Sequence, residues 1–190
     1  MNTPAEPRTV MLDFPRSRQF RTNDCGINDA GMVLAYYGIN EREGQLIDME
    51  GLPEDGLETV NLLDLLHRFE NRGITLDAGT MTLEDIRWAI DSGFPMILAL
   101  QAYADDPDQI YTDDWEDGHY ATAIGYRVNS DDEIEQVIFA DSSSWARTFQ
   151  TPLELLDRWH DSDSGQQLRN WGCIVKGIPQ FSSSAIVHME

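Results

Sequence analysis

A loop that turns into a helix, from Gln19 to Gly38, constrains this chain more than any other segment. Asp24 is a typical N-cap residue, because its carboxylate can accept hydrogen bonds from the free amides of a first helical turn. Gly38 is the residue type that ends helices in a left-handed conformation. Small and apolar residues recur at helical spacing between these two positions, which predicts a helix with one buried face.

Cys25 lies at the start of this helix, where the free amides and the helix dipole favour an anion. A thiol in that position is stabilised as the thiolate, the nucleophilic form of cysteine. Gln19, six residues upstream, carries an amide that can donate to a developing oxyanion. The alternative is that Cys25 is a small buried residue on an amphipathic helix, since free cysteine is among the most buried residue types. For the second cysteine, Cys173, a core position in a late strand is expected.

Length and charge limit the kind of protein. With 190 residues, a single domain is expected over residues 1–190, with a core from about 10 to 178. The net charge of −21 argues against nucleic acid or an anionic membrane as a partner. Two explanations of the charge stay open: attraction of a basic substrate, or a solubility adaptation of the whole surface, as a salt-rich cell interior favours.

The chain carries no targeting or membrane pattern. Residues 1–18 hold several prolines and no apolar signal core, and no apolar run is long enough for a membrane helix. Two cysteines do not form a disulfide scaffold and are compatible with a reducing compartment. A cytoplasmic location is therefore expected.

The rest of the chain predicts further helices and strands. The clearest start signals are Thr82 and the capping box Thr151-Pro152-Leu153-Glu154, which has proline at the first helical position. His160 is expected to close the last helix, where a cation suits the dipole. Helices are predicted at 41–49, 59–71, 83–91 and 151–160, strands at 9–14, 74–78, 95–103, 119–126, 133–141 and 171–178, and a polar loop at 161–167.

Two of these strands, 119–126 and 133–141, flank a turn-rich stretch and predict a hairpin. A turn centred near Ser130 makes His119 and Asp141 direct opposites. Opposed residues of an antiparallel pair project from the same face. The imidazole and the carboxylate are therefore expected to be neighbours.

An acidic loop, residues 104–118, precedes His119 and holds Trp115. Loops of this length are often binding rims or lids, and this one is expected to overhang the active-site cleft. Its aspartates do not match the spacing of an EF-hand calcium loop, so a solvated acidic loop is the better interpretation.

Together, Cys25, His119, Asp141 and Gln19 make up the nucleophile, base, orienter and oxyanion donor of acyl-transfer chemistry. The sequence resembles the bacteriocin-processing, double-glycine-leader peptidase family of the papain-like clan, in its stand-alone form, over about residues 10–178. One site departs from the family pattern, since Asp141 is followed by Ser142 and not by proline. The matching motifs are Gln19, Asp24-Cys25-Gly26, Tyr36-Tyr37-Gly38, Gly93-Phe94-Pro95-Met96-Ile97-Leu98, and Gly118-His119-Tyr120 with Gly125-Tyr126.

The resemblance implies an α+β, papain-like cysteine peptidase fold, with an N-terminal catalytic helix packed on an antiparallel β-sheet. It implies Cys25 as nucleophile, His119 as general acid and base, Asp141 as orienter, and Gln19 in the oxyanion hole with the Cys25 amide. It implies a peptide or protein substrate and neither a metal nor an organic cofactor. Many members cleave leader peptides after Gly-Gly, so leader processing is a further expectation here.

Two alternatives share these residues. A thiol amidase or transpeptidase would use the same four side chains. A non-catalytic peptide-binding module on the same scaffold would hold a peptide without cutting it. Retention of Cys25, His119 and Asp141 together argues against the binding module, because binding alone has no chemical need for all three.

Overall fold

A computed structural model describes residues 6–102 and 111–186 of the protein. Within these ranges, no helix combines the length and apolar character that crossing a bilayer requires. The described residues form five helices and nine strands. The helices are α1 (Cys25–Tyr36), α2 (Glu43–Glu50), α3 (Thr59–His67), α4 (Leu83–Asp91) and α5 (Pro152–Arg158), with short 3-10 turns at Glu70–Arg72 and Tyr111–Asp113. The strands are β1 (Arg8–Met11), β2 (Thr75–Thr80), β3 (Met96–Gln101), β4 (Gly118–Val128), β5 (Ile134–Ala140), β6 (Thr148–Gln150), β7 (His160–Asp163), β8 (Gln166–Arg169) and β9 (Trp171–Lys176).

Seven of these strands form one antiparallel sheet organised around the long strand β4. The order is β2-β9-β3-β4-β5-β6, and β1 pairs with the second half of β4, beyond the end of β3. Strands β7 and β8 form a separate two-stranded hairpin. The first residues of β4, which include His119, thus lie between β3 and the end of β5.

Helices cover both faces of the sheet. Strand β3 is buried along its whole length: Ile97 and Ala99 pack on the side of α1, α2 and α3, while Met96, Leu98 and Leu100 pack on the side of α4 and α5. Side chains alternate between the two faces of a strand, so a strand covered on both sides is apolar at successive positions, as β3 is from Met96 to Leu100. This explains the uninterrupted apolar run that predicted the strand.

A β-bulge interrupts β4 at Ile124. The ladder pairs Ala123 with Phe139 and then Gly125 with Ile138, so β4 has one extra residue. Before the bulge Tyr120 packs on the α1 side, whereas after it Tyr126 packs on the opposite side. The bulge therefore exchanges the two faces of β4 along its length.

The predicted first helix is confirmed, and Gly38 follows it with a φ of +75°. The predicted role of Asp24 as a side-chain cap is wrong. Its Oδ2 accepts hydrogen bonds from the backbone amides of Phe20 (3.2 Å) and Arg21 (3.0 Å), and none from the first turn of α1. The carboxylate therefore shapes the loop that leads into the helix.

Near the C-terminus the capping box of α5 is confirmed, with Thr151 and Glu154 bonded reciprocally. The helix ends at Arg158, so the expectation that His160 closes it is wrong. His160 instead begins β7, is buried, and its Nε2 lies 2.7 Å from the carbonyl oxygen of Asp114. The segment 161–167, predicted as a polar loop, belongs to the β7–β8 hairpin.

Gly26, directly after Cys25, allows α1 to approach β4 closely. A Cβ at this position would lie 3.1 Å from the Tyr120 ring and 3.3 Å from Leu57. We expect Gly26→Ala to lower the free energy of unfolding by about 1–3 kcal/mol, the usual cost of overpacking a buried contact. Denaturant titration measures this change.

The matched control is Gly44→Ala, because Gly44 lies in α2 with no atom within 4 Å of an added Cβ. This variant should be neutral or stabilised by up to about 1 kcal/mol, as alanine has the higher helix propensity. Equal effects of the two substitutions would contradict the close approach of α1 to β4.

Candidate active site

Cys25 and His119 meet where the start of α1 reaches the start of β4. Cys25 is the first residue of α1, His119 is the second residue of β4, and both side chains are buried. The two side chains are hydrogen-bond partners. The structure thus brings the predicted nucleophile and the predicted base together.

Asp141 lies on the other side of the imidazole, with its Oδ1 3.0 Å from His119 Nε2. The predicted register, in which these residues are direct opposites, is wrong by two positions. Thr122 pairs with Ala140. Extending this pairing by one residue places Asp141 opposite Ala121. The contact survives because a shift of two keeps the same face, and diagonal neighbours of a sheet remain within reach.

The environment favours a charged pair at His119 and Asp141. Burial by itself would lower the pKa of His119, but hydrogen bonds to Asp141 and Cys25, and the charges of both, raise it to about 10. Burial by itself would raise the pKa of Asp141, but the hydrogen bond and charge of His119, with donation from Ser143, lower it to about 2. The pair therefore stabilises the fold fully between about pH 4 and pH 6.5, and loses this contribution as the pH falls through 2 or rises through 10.

The carboxylate of Asp141 is held by its own loop. Its Oδ1 accepts from the backbone amide of Ser143 at 2.9 Å and from the Ser143 hydroxyl at 2.7 Å, and its Oδ2 lies 3.4 Å from the Thr148 hydroxyl. These donors fix the carboxylate in one orientation, and with it the imidazole.

Gln19 lies beside the residue that follows Asp141. Its backbone amide donates to the carbonyl of Ser142 (3.0 Å), and its side-chain Oε1 accepts from the Ser142 hydroxyl (2.9 Å). Its Nε2 donates to the carbonyl of Arg21 at 2.9 Å. The hydroxyl at position 142 therefore orients the Gln19 amide, a contact that proline at this position would not provide.

A cleft of about 770 Å³ opens in front of Cys25 and His119. It is lined by the segment between α2 and α3, by β7, and by Trp115, Glu116 and Gly118. Trp115, from the acidic loop, lines the cleft, packs against His160 with the two rings tilted by 56°, and lies under the guanidinium of Arg169. Residues 104–110 of the predicted overhanging loop lie outside the described residues.

Sequence reasoning missed the residues that β7 brings to this cleft, Asp161 and Asp163. The signal was the pair Ser164-Gly165, which has φ values of +49° and +76° in the turn between β7 and β8. Two consecutive residues with positive φ are typical of the tight turn that closes a β-hairpin.

Among the described residues, no group of three or more histidine, cysteine or acidic side chains is placed to hold a metal ion. Cys173 is fully buried in the core, and burial raises the pKa of its thiol to about 12. Its predicted core position is confirmed.

Comparison with known proteins decides the family. The model of the Peptidase_C39 like family matches residues 11–164. The chain belongs to this family. The resemblance found in the motifs is confirmed, although no curated protein matches the sequence.

Solved structures of C39 peptidases share the fold. A C39-like peptidase from Bacillus anthracis is 15% identical, with a TM-score of 0.65 over 91% of this chain and 100% of that chain. The peptidase domain of Streptococcus ComA, a bifunctional ABC transporter of quorum sensing, is 16% identical, with a TM-score of 0.58 over 90% and 99%. A double-glycine-motif protease from an AMS/PCAT transporter, solved with its leader peptide, is 16% identical, with a TM-score of 0.57 over 88% and 94%. The predicted α+β, papain-like C39 fold is therefore confirmed.

In this C39-like chain a further carboxyl group lies beneath the site. Asp29 follows Cys25 by one helical turn and is fully buried. Its Oδ2 accepts from the Thr122 hydroxyl of β4 at 3.1 Å, and its Oδ1 has no hydrogen-bond partner among the described residues. Burial raises the pKa of Asp29 well above its usual value, against the opposing charge of His119. Burial therefore favours the protonated form of the Asp29 carboxyl group.

A buried carboxyl group with a raised pKa makes stability depend on pH. Above about pH 4 the unfolded chain ionises Asp29 more readily than the folded chain does, so the free energy of unfolding falls as the pH rises, by at most about 1.4 kcal/mol per pH unit. Asp29→Asn removes this loss. We expect the stability of the variant relative to wild type to rise with pH from about 4 upward, as measured by urea titrations at several pH values.

The control is Asp131→Asn, which changes an exposed carboxyl in the β4–β5 turn. Its stability should run parallel to that of wild type. The test depends on how the difference in free energy of unfolding between Asp29→Asn and wild type changes with pH. A difference that is the same at every pH reflects only the hydrogen bonds of the asparagine. A slope that Asp29→Asn leaves unchanged would show that Asp29 is ionised in the folded protein.

Proposed function

We propose that the protein is a cysteine peptidase that hydrolyses peptide bonds with Cys25, His119 and Asp141. The observation that carries this proposal is the buried His119 imidazole, held at 3.0 Å by Asp141 and bonded to Cys25 at a helix N-terminus, at the base of an open cleft. A helix N-terminus and an imidazolium both favour a thiolate. The set has the nucleophile, base and orienter of acyl-transfer chemistry.

In the proposed reaction the Cys25 thiolate attacks the carbonyl carbon of the scissile peptide bond. The His119 imidazolium then donates its proton to the leaving amine, which departs and leaves a thioester on Cys25. Neutral His119 next takes a proton from water, whose oxygen attacks the thioester and releases the acid. Since Nε2 of His119 contacts Asp141, Nδ1 is the nitrogen that faces the thiol and the substrate.

Gln19 and the backbone amide of Cys25 are the proposed oxyanion donors. The Ser142 hydroxyl bonds to Oε1 of Gln19, which fixes Nε2 as the donor end of the amide. One N–H of this group reaches the Arg21 carbonyl, and the second is the donor that we assign to the oxyanion.

The proposed substrate is a peptide or a protein segment. The double-glycine protease with the same fold was solved in complex with a leader peptide. A cleft of about 770 Å³ with the thiol at its base suits an extended peptide. Leader processing is the form of this activity that the family favours, so a double-glycine leader peptide is the first substrate to test.

The reactivity of Cys25 tests the thiolate directly. With iodoacetamide at pH 6–7, we expect a single label on Cys25 and none on buried Cys173, read by intact mass. His119→Ala should slow this labelling by at least about tenfold, because the thiolate loses its cationic partner. Cys25→Ala is the control and should take up no label while folded.

Labelling of Cys25 only at alkaline pH, or only on unfolding, would contradict the proposed pair. A leader peptide or a mixed peptide library that wild type cleaves and Cys25→Ala does not would establish the peptidase. Rapid labelling without cleavage would instead favour an amidase or transpeptidase with the same residues.

The oxyanion role predicts a specific kinetic effect of Gln19→Ala. Loss of one donor should lower kcat by about 10²–10³-fold with little change in KM, because the donor acts on charge formed in the transition state. Ser142→Ala should lower kcat less, since it removes only the hydroxyl that orients the amide. Labelling of Cys25 should be unchanged in both variants, which separates this role from damage to the thiol. A change in KM alone would contradict it.

A further inference from the structure

Six carboxylates line the cleft. They come from three separate parts of the chain: the segment between α2 and α3, the residues before β4, and β7. Within the described residues that line the cleft, there is no lysine and no arginine. The six side chains are Glu54, Asp55, Glu58, Glu116, Asp161 and Asp163.

The hydrogen bonds of these carboxylates come from neutral donors. Asp163 accepts from the backbone amide of Thr59 at 2.9 Å, and Glu58 accepts from the Ser164 hydroxyl at 2.6 Å. Asp161 accepts from the Gln101 amide at 3.0 Å and from its neighbouring backbone amide at 2.8 Å. These bonds fix the positions of the carboxylates and neutralise none of their charge.

Elsewhere on the molecule, acidic residues have cationic partners. Asp132 pairs with both Arg8 and Arg87, and Asp77 pairs with Lys176. Across the described part of the chain, no ion pair includes any of the six cleft carboxylates. Arg169 approaches only from beside the cleft, with its guanidinium carbon 4.9 Å from the centre of the Trp115 ring. The six carboxylates thus exceed the positive charge in the cleft, where His119, paired with Asp141, is the one cationic group among the described lining residues.

Asp161 brings this charge next to the reacting groups. A Cβ added at Gly118, the residue before His119, would lie 2.7 Å from Asp161 Oδ1. Burial raises the pKa of Asp161 to about 6, and the charge of Asp163 adds to this. A cation placed here would relieve both effects, because it would replace lost hydration and offset the neighbouring charge.

We propose that the cleft selects peptides that carry lysine or arginine beside the scissile bond, with Asp161 as the main contact for the cation. The proposal rests on the proposed peptidase function and names its substrate class. Clefts lined by one sign of charge concentrate the field and attract ligands of the opposite sign. The competing explanation is that the acidic lining is only part of a generally acidic surface.

The first experiment is a digest of a peptide library prepared by cutting a bacterial proteome at glutamate, with cleavage sites mapped by mass spectrometry. We expect arginine and lysine to be enriched beside the cleaved bond. The best-cleaved sequence is then made in two forms that differ only in arginine or neutral citrulline. At low salt the arginine form should have a kcat/KM about tenfold higher, and this ratio should fall toward one at about 0.5 M NaCl.

Two variants with the same change of charge separate the explanations. Asp161→Asn should reduce the arginine-to-citrulline ratio to about threefold or less, since the amide keeps an acceptor for Gln101 and loses only the charge. Asp131→Asn, on the distant β4–β5 turn, should leave the ratio unchanged. The proposal would be overturned if wild type had equal kcat/KM values for the arginine and citrulline peptides, or if Asp161→Asn and Asp131→Asn lowered the ratio equally. Either result would leave the proposed peptidase function intact.

A binding measurement keeps the proposal testable if wild type cleaves nothing. Cys25→Ala is titrated with the same fluorescent peptide pair, read by anisotropy. Tighter binding of the arginine form, reduced by Asp161→Asn, supports the charge selection independently of catalysis. Equal affinities for the two forms overturn it.

Discussion

The approach of the α1 N-terminus to the start of β4 is the contact on which the site depends. The thiol belongs to the helix and the imidazole to the strand, so these two groups meet only because the two elements touch. The absence of a side chain at Gly26 allows Tyr120 to come close, and the Asp29–Thr122 hydrogen bond links the same two elements one turn further along. Burial raises the pKa of Asp29, so this link is maintained against the cost of removing a carboxyl group from water.

Local patterns predicted the elements well but not how they align. The capping boxes at Thr82 and Thr151 specify α4 and α5 through residues three positions apart, and the structure has both. The error in the register of β4 against β5 comes from the turn between them, because Val128 pairs with Ile134 and the turn is therefore centred on Asp131, not on Ser130. The bulge at Ile124 is offset by a second irregularity next to Val128, so the shift of two positions persists along the ladder. The contact between His119 and Asp141 was nevertheless predicted, because an error of two residues is one full period of a strand and keeps both side chains on the same face.

Polar residues near helix starts were harder to assign than apolar ones. Asp24 was predicted as a local cap but bonds to the preceding loop, and the hydroxyl of Thr59, the first residue of α3, bonds to the distant Asp163. A carboxylate or hydroxyl can satisfy either a nearby amide or a distant partner, and only the tertiary structure decides between them. The same limit hid the acidic cleft, because its carboxylates are dispersed over more than a hundred positions of the chain.

The acidic lining of the cleft affects His119 and Cys25 in opposite ways. Carboxylates stabilise the His119 imidazolium but oppose a negative charge on Cys25, which lies at the base of the same cleft. The helix N-terminus and the imidazolium act on the thiol at contact distance. The cleft carboxylates act on it across solvent, where their effect is weaker. A cationic side chain bound beside Asp161 would offset the negative charge of the cleft carboxylates without disturbing the His119–Asp141 pair. Binding of a basic peptide would therefore favour the thiolate at the moment when a scissile bond is present.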